Sequence, residues 1–480
     1  MTFALIALLL LVFGGGTILL LATRFDTTPL VPAAIGLGAS LLALMFFALS
    51  YSAEGALLGM YRLDGLSATG GMTLSLVAAL TILGVMADPN RYYAGRSEVY
   101  ALILYVALGA TLMIGANNLL LLYVGIEMAS YSSYILVGYY RDDRYSTEAA
   151  GKYFVLGAVA SAFLLYGFSL IFGAGGGFYY DQIAATMAAS EVIPVVLWPG
   201  LALVLVGFGF KLALVPFHGW TPDAYQGAPT MFAALVSVGP KVGAVVALGV
   251  LLTRALGADD IAVVWQQALV WLAILTMTVG NLQALNQTNI KRLLGYSSVA
   301  QLGTIAVGVA AGSVQGLGAV AFYGLAYAIT NVGAFTVVAA LSQAGLGEEV
   351  EDYKGLGKRH WPSALLFTLF LLSLAGVPLL AGFAGKLFVF KSAVDAGLLT
   401  LAVVAVLNTV LAYFYYVRVV VQMWLVDAEE DTASVHVHPV ALTALAVGAV
   451  GVVLVGTFPG VALEVVRGGL EPLVPFLASR

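Results

Sequence analysis

The chain has 480 residues, 61% hydrophobic and only 9% charged, against about 25% charged in an ordinary soluble domain, and its mean hydropathy is +1.00. A soluble fold is excluded, and a net charge of −5 without any basic stripe argues against nucleic acid as a partner. The absence of cysteine removes disulfides and thiolate-held iron–sulfur clusters from this chain.

A membrane-crossing helix needs roughly 20 apolar residues, and runs of that length recur along the whole chain, predicting an all-α integral membrane protein of about fourteen spans in one transmembrane domain over 1–480. The first, 2–22, has no basic segment ahead of it and Arg24 after it, so it reads as an uncleaved helix. The next five cover 30–50, 71–87, 99–115, 117–140 and 148–173. The later spans cover 192–226, 229–255, 260–283, 292–312, 315–345, 362–393, 397–425 and 438–460.

Loops after odd-numbered spans hold Arg24, Arg91, Arg96, Arg141, Arg144, Lys291, Arg292, Lys354, Lys358 and Arg359. The opposite side holds only Arg62, Arg254, Lys391, Arg467 and Arg480, so the positive-inside rule places both termini away from the cytoplasm.

The seventh and twelfth spans are too long for one straight crossing and carry Pro216 and Pro378, the latter among Gly376, Gly382 and Gly385. Interrupted helices five elements apart predict two inverted-topology repeats of five helices, approximately 99–255 and 260–425, with ion sites near the breaks. After the first break, Thr221-Pro222-Asp223 reads as a helix cap, a proline at the first helical position and an acid in the first turn.

Charges at membrane depth carry the functional reading. Lys241 lies mid-span with about 18 Å of apolar helix on either side, so its amine must find an internal partner or water, or give up its proton. Glu127 centres the fifth span, and Tyr123, Ser130, Tyr131 and Tyr134 continue a polar stripe expected to face inward. Lys211 precedes Pro216, whose ring cannot bond the Leu212 carbonyl, and Lys386 follows Pro378 in a looser repeat of that arrangement. Lys152 lies one turn into its span, where a surface ion pair with Glu148 competes with a buried role. His218, beside the break, suits either proton exchange or plain hydrogen bonding.

At these residues the chain resembles the antiporter-like proton-pumping subunits of respiratory complex I, the NADH-quinone oxidoreductase, and among them the N-type members, called subunit 2 in mitochondria. The resemblance rests on FKLALVPFHGWTPDAYQGAPT (210–230), SVGPKVG (237–243), NQTNIKRLLGYSSVAQLG (286–303), YGLAYAITNVGAF (323–335) and GVPLLAGFAGKLF (376–388). The TPDAYQGAP wording looks N-type, where subunits L and M typically read LPDAHxEAP. The resemblance implies that Glu127 pairs with Lys211, that Lys241 continues a proton path across the centre, and that Lys386 ends it. It also matches Lys152 to a lysine of the sixth helix. One departure is Gln301, where the family commonly has histidine; glutamine holds water but cannot carry a proton as a cation.

The implied function is proton translocation along this row, driven by quinone reduction elsewhere in a bacterial inner-membrane complex. Flavin, iron–sulfur clusters and quinone are then expected in partner subunits, with antiporter-like subunit M, small subunit K and the lipid bilayer as neighbours. A subunit of a multisubunit sodium/proton antiporter and a passive membrane scaffold are the competing readings.

Overall fold

Apolar runs of this length leave the backbone no water to bond, so each closes its own N–H and C=O groups as a helix. The computed structural model describes residues 2–24, 30–87, 96–189, 192–428 and 437–468, and is almost entirely helical. Arg91 and Arg480, used in the orientation argument, lie outside the described residues. Among the described residues twelve helices are long and apolar enough to cross a membrane, and Leu197–Lys211 and Trp361–Ala375 open the two interrupted spans, as expected.

The chain begins with α1 (Thr2–Arg24) and α2 (Leu30–Leu49), then a hairpin of β1 (Gly55–Leu57) and β2 (Tyr61–Leu63) in which Gly55 pairs with Leu63. Helices α3 (Gly65–Met86), α4 (Glu98–Gly115), α5 (Leu119–Val137), α6 (Arg144–Gly175) and the short α7 (Tyr180–Ala189) follow. The first interrupted span is α8 (Leu197–Lys211) and α9 (Trp220–Gly227), leading to α10 (Thr230–Arg254), α11 (Asp259–Leu285), α12 (Ile290–Ala310) and α13 (Val314–Gln343). A 3-10 turn at Val350–Tyr353 and the single turn α14 (Leu356–Arg359) precede the second interrupted span, α15 (Trp361–Ala375) and α16 (Ala381–Asp395). The chain continues through α17 (Leu399–Leu425), α18 (Pro439–Thr457) and α19 (Pro459–Gly468).

The hairpin departs from the expected pattern, and α3 starts at Gly65 rather than at 71. Asp64 supplies the reason. Its carboxylate accepts the Ser67 N–H at 2.7 Å while the Ser67 hydroxyl accepts the Asp64 N–H at 3.1 Å, a capping box that starts the helix early. Arg62 pairs with Asp64 and donates to the Ile114 carbonyl at 3.1 Å, so this buried pair ties the start of α3 to the end of α4.

Burial sorts the helices into a centre and a rim. The most apolar stretch of α10 is wholly buried and those of α12 and α13 nearly so, whereas that of α18 is only 28% buried. On α17, Val403, Val406, Leu407, Val410 and Phe414 form an exposed apolar stripe at helical spacing, the face such a helix turns to lipid or another membrane chain.

Several helix pairs pack backbone to backbone through glycine, and two of them are built alike. A Cβ on Gly109 of α4 would lie 2.5 Å from the Ala129 nitrogen of α5, and one on Gly280 of α11 would lie 2.7 Å from the Ala300 nitrogen of α12. The second helix of each pair is capped by asparagine, Asn118 for α5 and Asn289 for α12. Each asparagine also makes an antiparallel bridge to a later loop, at Tyr179 and Glu349 respectively.

Candidate functional site: a row of buried lysines

The first group assembles where α8 ends. Lys211, 7% exposed, is the last residue of α8, and its ammonium lies 3.9 Å from the Glu127 carboxylate of α5. It donates to Ser130 at 2.8 Å, Ser161 at 3.2 Å and Tyr134 at 3.4 Å. Ser161 of α6 in turn donates to Glu127 at 2.6 Å, so one hydroxyl stands between the two charges. At 3.9 Å the ions attract without sharing a hydrogen bond, and the hydroxyls complete the ammonium's coordination.

The stripe on α5 is narrower than expected. Ser130 and Tyr134 are buried, but Tyr131 is 53% exposed. At ~100° per residue Ser130 and Tyr134 wind to one side of Glu127 and Tyr131 to the other, which puts its ring on the outer edge.

Lys241 sits at the middle of α10 and is 1% exposed. Its Nζ donates to Ser298 of α12 at 3.0 Å and lies over the rings of Trp220 and Tyr225, 5.3 and 5.1 Å from their centroids. Ring faces carry partial negative charge and suit a desolvated cation. Ser298 also accepts from Tyr327 at 2.8 Å and lies 3.3 Å from the Tyr225 hydroxyl. Between the two lysine sites runs an aromatic stack. Tyr134 meets Tyr153 edge-on at 4.6 Å, and Tyr153 lies flat on Trp220 at 4.3 Å.

Lys386, 4% exposed, takes partners of a third kind. It lies on α16 just past the second break and donates to the carbonyls of Leu374 and Ala375, both at 2.9 Å, at the unfinished end of α15. Gln301 shares the Leu374 carbonyl, donating to it at 2.8 Å and to the Tyr416 hydroxyl at 3.2 Å while accepting from Tyr323. Tyr416 also bonds Ser297. The amide therefore joins the Lys386 site to a cluster of buried hydroxyls.

Lys152 stands apart from the row. Its side chain is 46% exposed and bonds Glu148 and Asp223, each at 2.9 Å, so it belongs to a surface ion cluster. His218 lies half-buried in the break between α8 and α9; its carbonyl accepts the Thr221 N–H at 3.0 Å, and its Nδ1 has no partner among the described residues. The expected cap at Thr221 is not there, because α9 already starts at Trp220 and the Thr221 hydroxyl is buried without a partner among the described residues. Pro222 and Asp223 do occupy the first turn.

Ser161, Ser298, Trp220, Tyr225, Tyr323, Tyr327 and Tyr416 were not singled out from the sequence. Isolated hydroxyls on otherwise apolar spans, such as Ser297-Ser298 and Tyr323 with Tyr327, were the available signal.

The bundle and its row of enclosed charges define a polytopic helical membrane protein of the antiporter-like type. Residues 116–412 match the family described as NADH:quinone oxidoreductase/Mrp antiporter, transmembrane. The NADH-quinone oxidoreductase subunit N of Rhodospirillum rubrum is 41% identical over 406 residues, covering 84% of this chain and 81% of that protein. A chain of respiratory complex I from Thermus thermophilus, solved with bound aureothin, superposes with a TM-score of 0.81 at 32% identity, covering 96% of this chain and all of that one. A chain of the Mrp complex from Dietzia shares the fold, with a TM-score of 0.83 at 22% identity and 100% and 99% coverage. The protein belongs to the NADH-quinone oxidoreductase subunit N family.

Proposed function

We propose that this chain is the proton-translocating membrane subunit of a bacterial NADH-quinone oxidoreductase. Protons move between Glu127–Lys211, Lys241 and Lys386, driven by quinone reduction elsewhere in the complex. The observation that carries this reading is that three lysines on three separate apolar helices, Lys211, Lys241 and Lys386, are each at most 7% exposed. Buried ionisable groups in a membrane chain are costly, so their recurrence marks an ion path. Their partners, hydroxyls, one carboxylate and backbone carbonyls, can hold the charge without any bulk water.

The row divides the chain into two repeats, approximately 99–255 and 260–425, with Lys211 and Lys386 at the two breaks. Support comes from the matching glycine contacts, asparagine caps and loop bridges of the α4–α5 and α11–α12 pairs. Lys152 and His218 take lesser parts: the first in a surface cluster, the second as a hydrogen-bonding group in the break. Flavin, iron–sulfur clusters and quinone belong to partner chains; antiporter-like subunit M and small subunit K are the expected membrane neighbours. Both termini face away from the cytoplasm.

The test is Lys241→Ala in the assembled complex, reconstituted in proteoliposomes. Proton pumping and coupled quinone reduction should fall together, by about tenfold or more, equivalent to ~1.4 kcal/mol on the limiting step. Lys152→Ala should lose much less, because bulk water can replace a half-exposed amine. Equal losses with assembly intact would refute the reading, and activity driven by a sodium gradient without NADH would instead mark an antiporter.

A further inference from the structure

Helix α9 has only eight residues, too few to hold its own shape, yet it touches both halves of the row. One side of it is gripped by three cations. Lys152 of α6 and Arg292 of α12 both bond Asp223, at 2.9 and 2.7 Å, and Arg292 also bonds Gln226 at 3.0 Å. Lys291, 4% exposed, donates to the Ala228 carbonyl that follows α9 at 3.0 Å and to Glu348 at 2.9 Å. Lys152, Asp223 and Arg292 line a surface cavity of about 210 Å³.

The same short helix carries the seat of Lys241. Trp220 and Tyr225 present their ring faces to its ammonium, and the Tyr225 hydroxyl lies 3.3 Å from Ser298, the other Lys241 partner. The Trp220 indole also donates across the break to the Phe210 carbonyl, beside Lys211, at 3.1 Å. A rotation of α9 therefore moves the rings under one lysine and the backbone contact next to the other. Cation–ring attraction depends on the cation lying over the ring face within ~6 Å, so the seat tolerates little displacement.

We propose that Asp223 is a positioning residue. Bonded to Lys152 and Arg292, it sets the height and rotation of α9 and so holds Trp220 and Tyr225 against Lys241. This rests on the reading of Lys241 as a proton carrier. It gives the surface cluster a role in the path without making Lys152 a member of it. A carboxylate in the first turn of α9 also meets the positive end of that helix, which favours Asp223 as the anchor.

The test measures proton pumping per assembled complex, and its pH profile, in proteoliposomes. A misplacement of about 1 Å can cost on the order of 100-fold, and a loosened helix less, so Asp223→Asn should lose about fivefold to tenfold with a displaced pH profile. Asp223→Glu should restore most of the activity. Lys152→Met should lose about twofold, since Arg292 remains, and Lys152→Met with Arg292→Met should match Asp223→Asn. A purely structural anchor would lower the amount of assembled complex and leave pumping per complex and the pH profile unchanged; that result overturns the proposal. Should Asp223→Asn fail to assemble, the half-exposed Lys152→Met answers the same question, with unchanged pumping overturning the proposal. Lys241→Ala in the same vesicles separates the two ideas. Full pumping there refutes the proton path itself, whereas a loss there beside an unaffected Asp223→Asn refutes the clamp alone.

Discussion

The α4–α5 and α11–α12 regions are built alike and diverge at one depth. Each has a glycine-packed helix pair whose second helix is capped by asparagine, Asn118 or Asn289. Nine residues after the cap stands Glu127 in the first region and Ser298 in the second; twelve residues after it stand Ser130 and Gln301. Lys211 thus meets a carboxylate and hydroxyls, whereas Lys386 meets two backbone carbonyls and, through one of them, an amide. A helix end offers roughly half a negative charge against the full charge of a carboxylate. The first partner can swing away on its own side chain, while the second cannot leave without unwinding α15. One scaffold can therefore hold a breakable ion pair at one end of the row and a fixed, weaker counter-charge at the other.

Removing the full charge should break that contrast most severely. Glu127→Gln keeps the shape and much of the hydrogen bonding but not the charge, so it should impair pumping by about an order of magnitude, the scale of one buried charge pair. Glu127→Asp keeps the charge and shortens the reach, so part of the activity should survive. A carboxylate that only fills space predicts the reverse order. Pumping normalised to assembled complex decides, and near-normal Gln with impaired Asp would show that the charge of Glu127 is not what Lys211 needs.

A smaller effect is expected at the corresponding position of the second region. Ser298 is the hydroxyl partner of Lys241 and also accepts from Tyr327. Ser298 is one of three partners of the ammonium and the two aromatic faces remain under the lysine, so Ser298→Ala should lose only part of the activity. Ser298→Thr should retain it. A loss in Ser298→Ala as large as that of Glu127→Gln, with assembly unchanged, would remove the distinction between the two regions.

How much of this was legible beforehand follows from the range of the interactions. Span number, both interruptions and the burial of Lys211, Lys241 and Lys386 depend on composition and proline within some twenty residues, and these are readable. The hairpin at 55–63 was not, because three-residue strands are too short to show alternation. Thr221 reads as a cap from local chemistry, yet Trp220 packing on Tyr153 and bonding Phe210 accompanies a start of α9 two residues earlier, with Gly219 at the cap. Asp223 looked like a first-turn acid; its partners Lys152 and Arg292 lie 71 and 69 residues away in sequence, beyond any local pattern. Gln301 stood out against the family's histidine, but its shared carbonyl with Lys386 depends on a break 73 residues downstream.

The smallest expected effect tests whether the two caps are equivalent. Asn118 accepts one orphan N–H, that of Leu121 at 2.8 Å, and its side-chain nitrogen is buried without a partner among the described residues. Asn289 accepts two, from Lys291 at 3.0 Å and Arg292 at 3.1 Å. Replacing a capping asparagine by alanine costs about 0.5–2 kcal/mol, so Asn118→Ala belongs near the lower end of that range and Asn289→Ala near the upper. Thermal unfolding of the purified complex should rank them in that order. The second cap also carries more than stability, because the residues it orients, Lys291 and Arg292, are two of the three cations that grip α9. Asn289→Ala should therefore lower pumping per complex slightly, and Asn118→Ala should leave it unchanged. Asn289→Ser keeps a capping oxygen without setting a second carboxylate against Glu349, so it should recover most of both properties. Equal stability losses with no difference in pumping would show that the two caps do the same work, and that the contrast between the regions begins only at the level of Glu127 and Ser298.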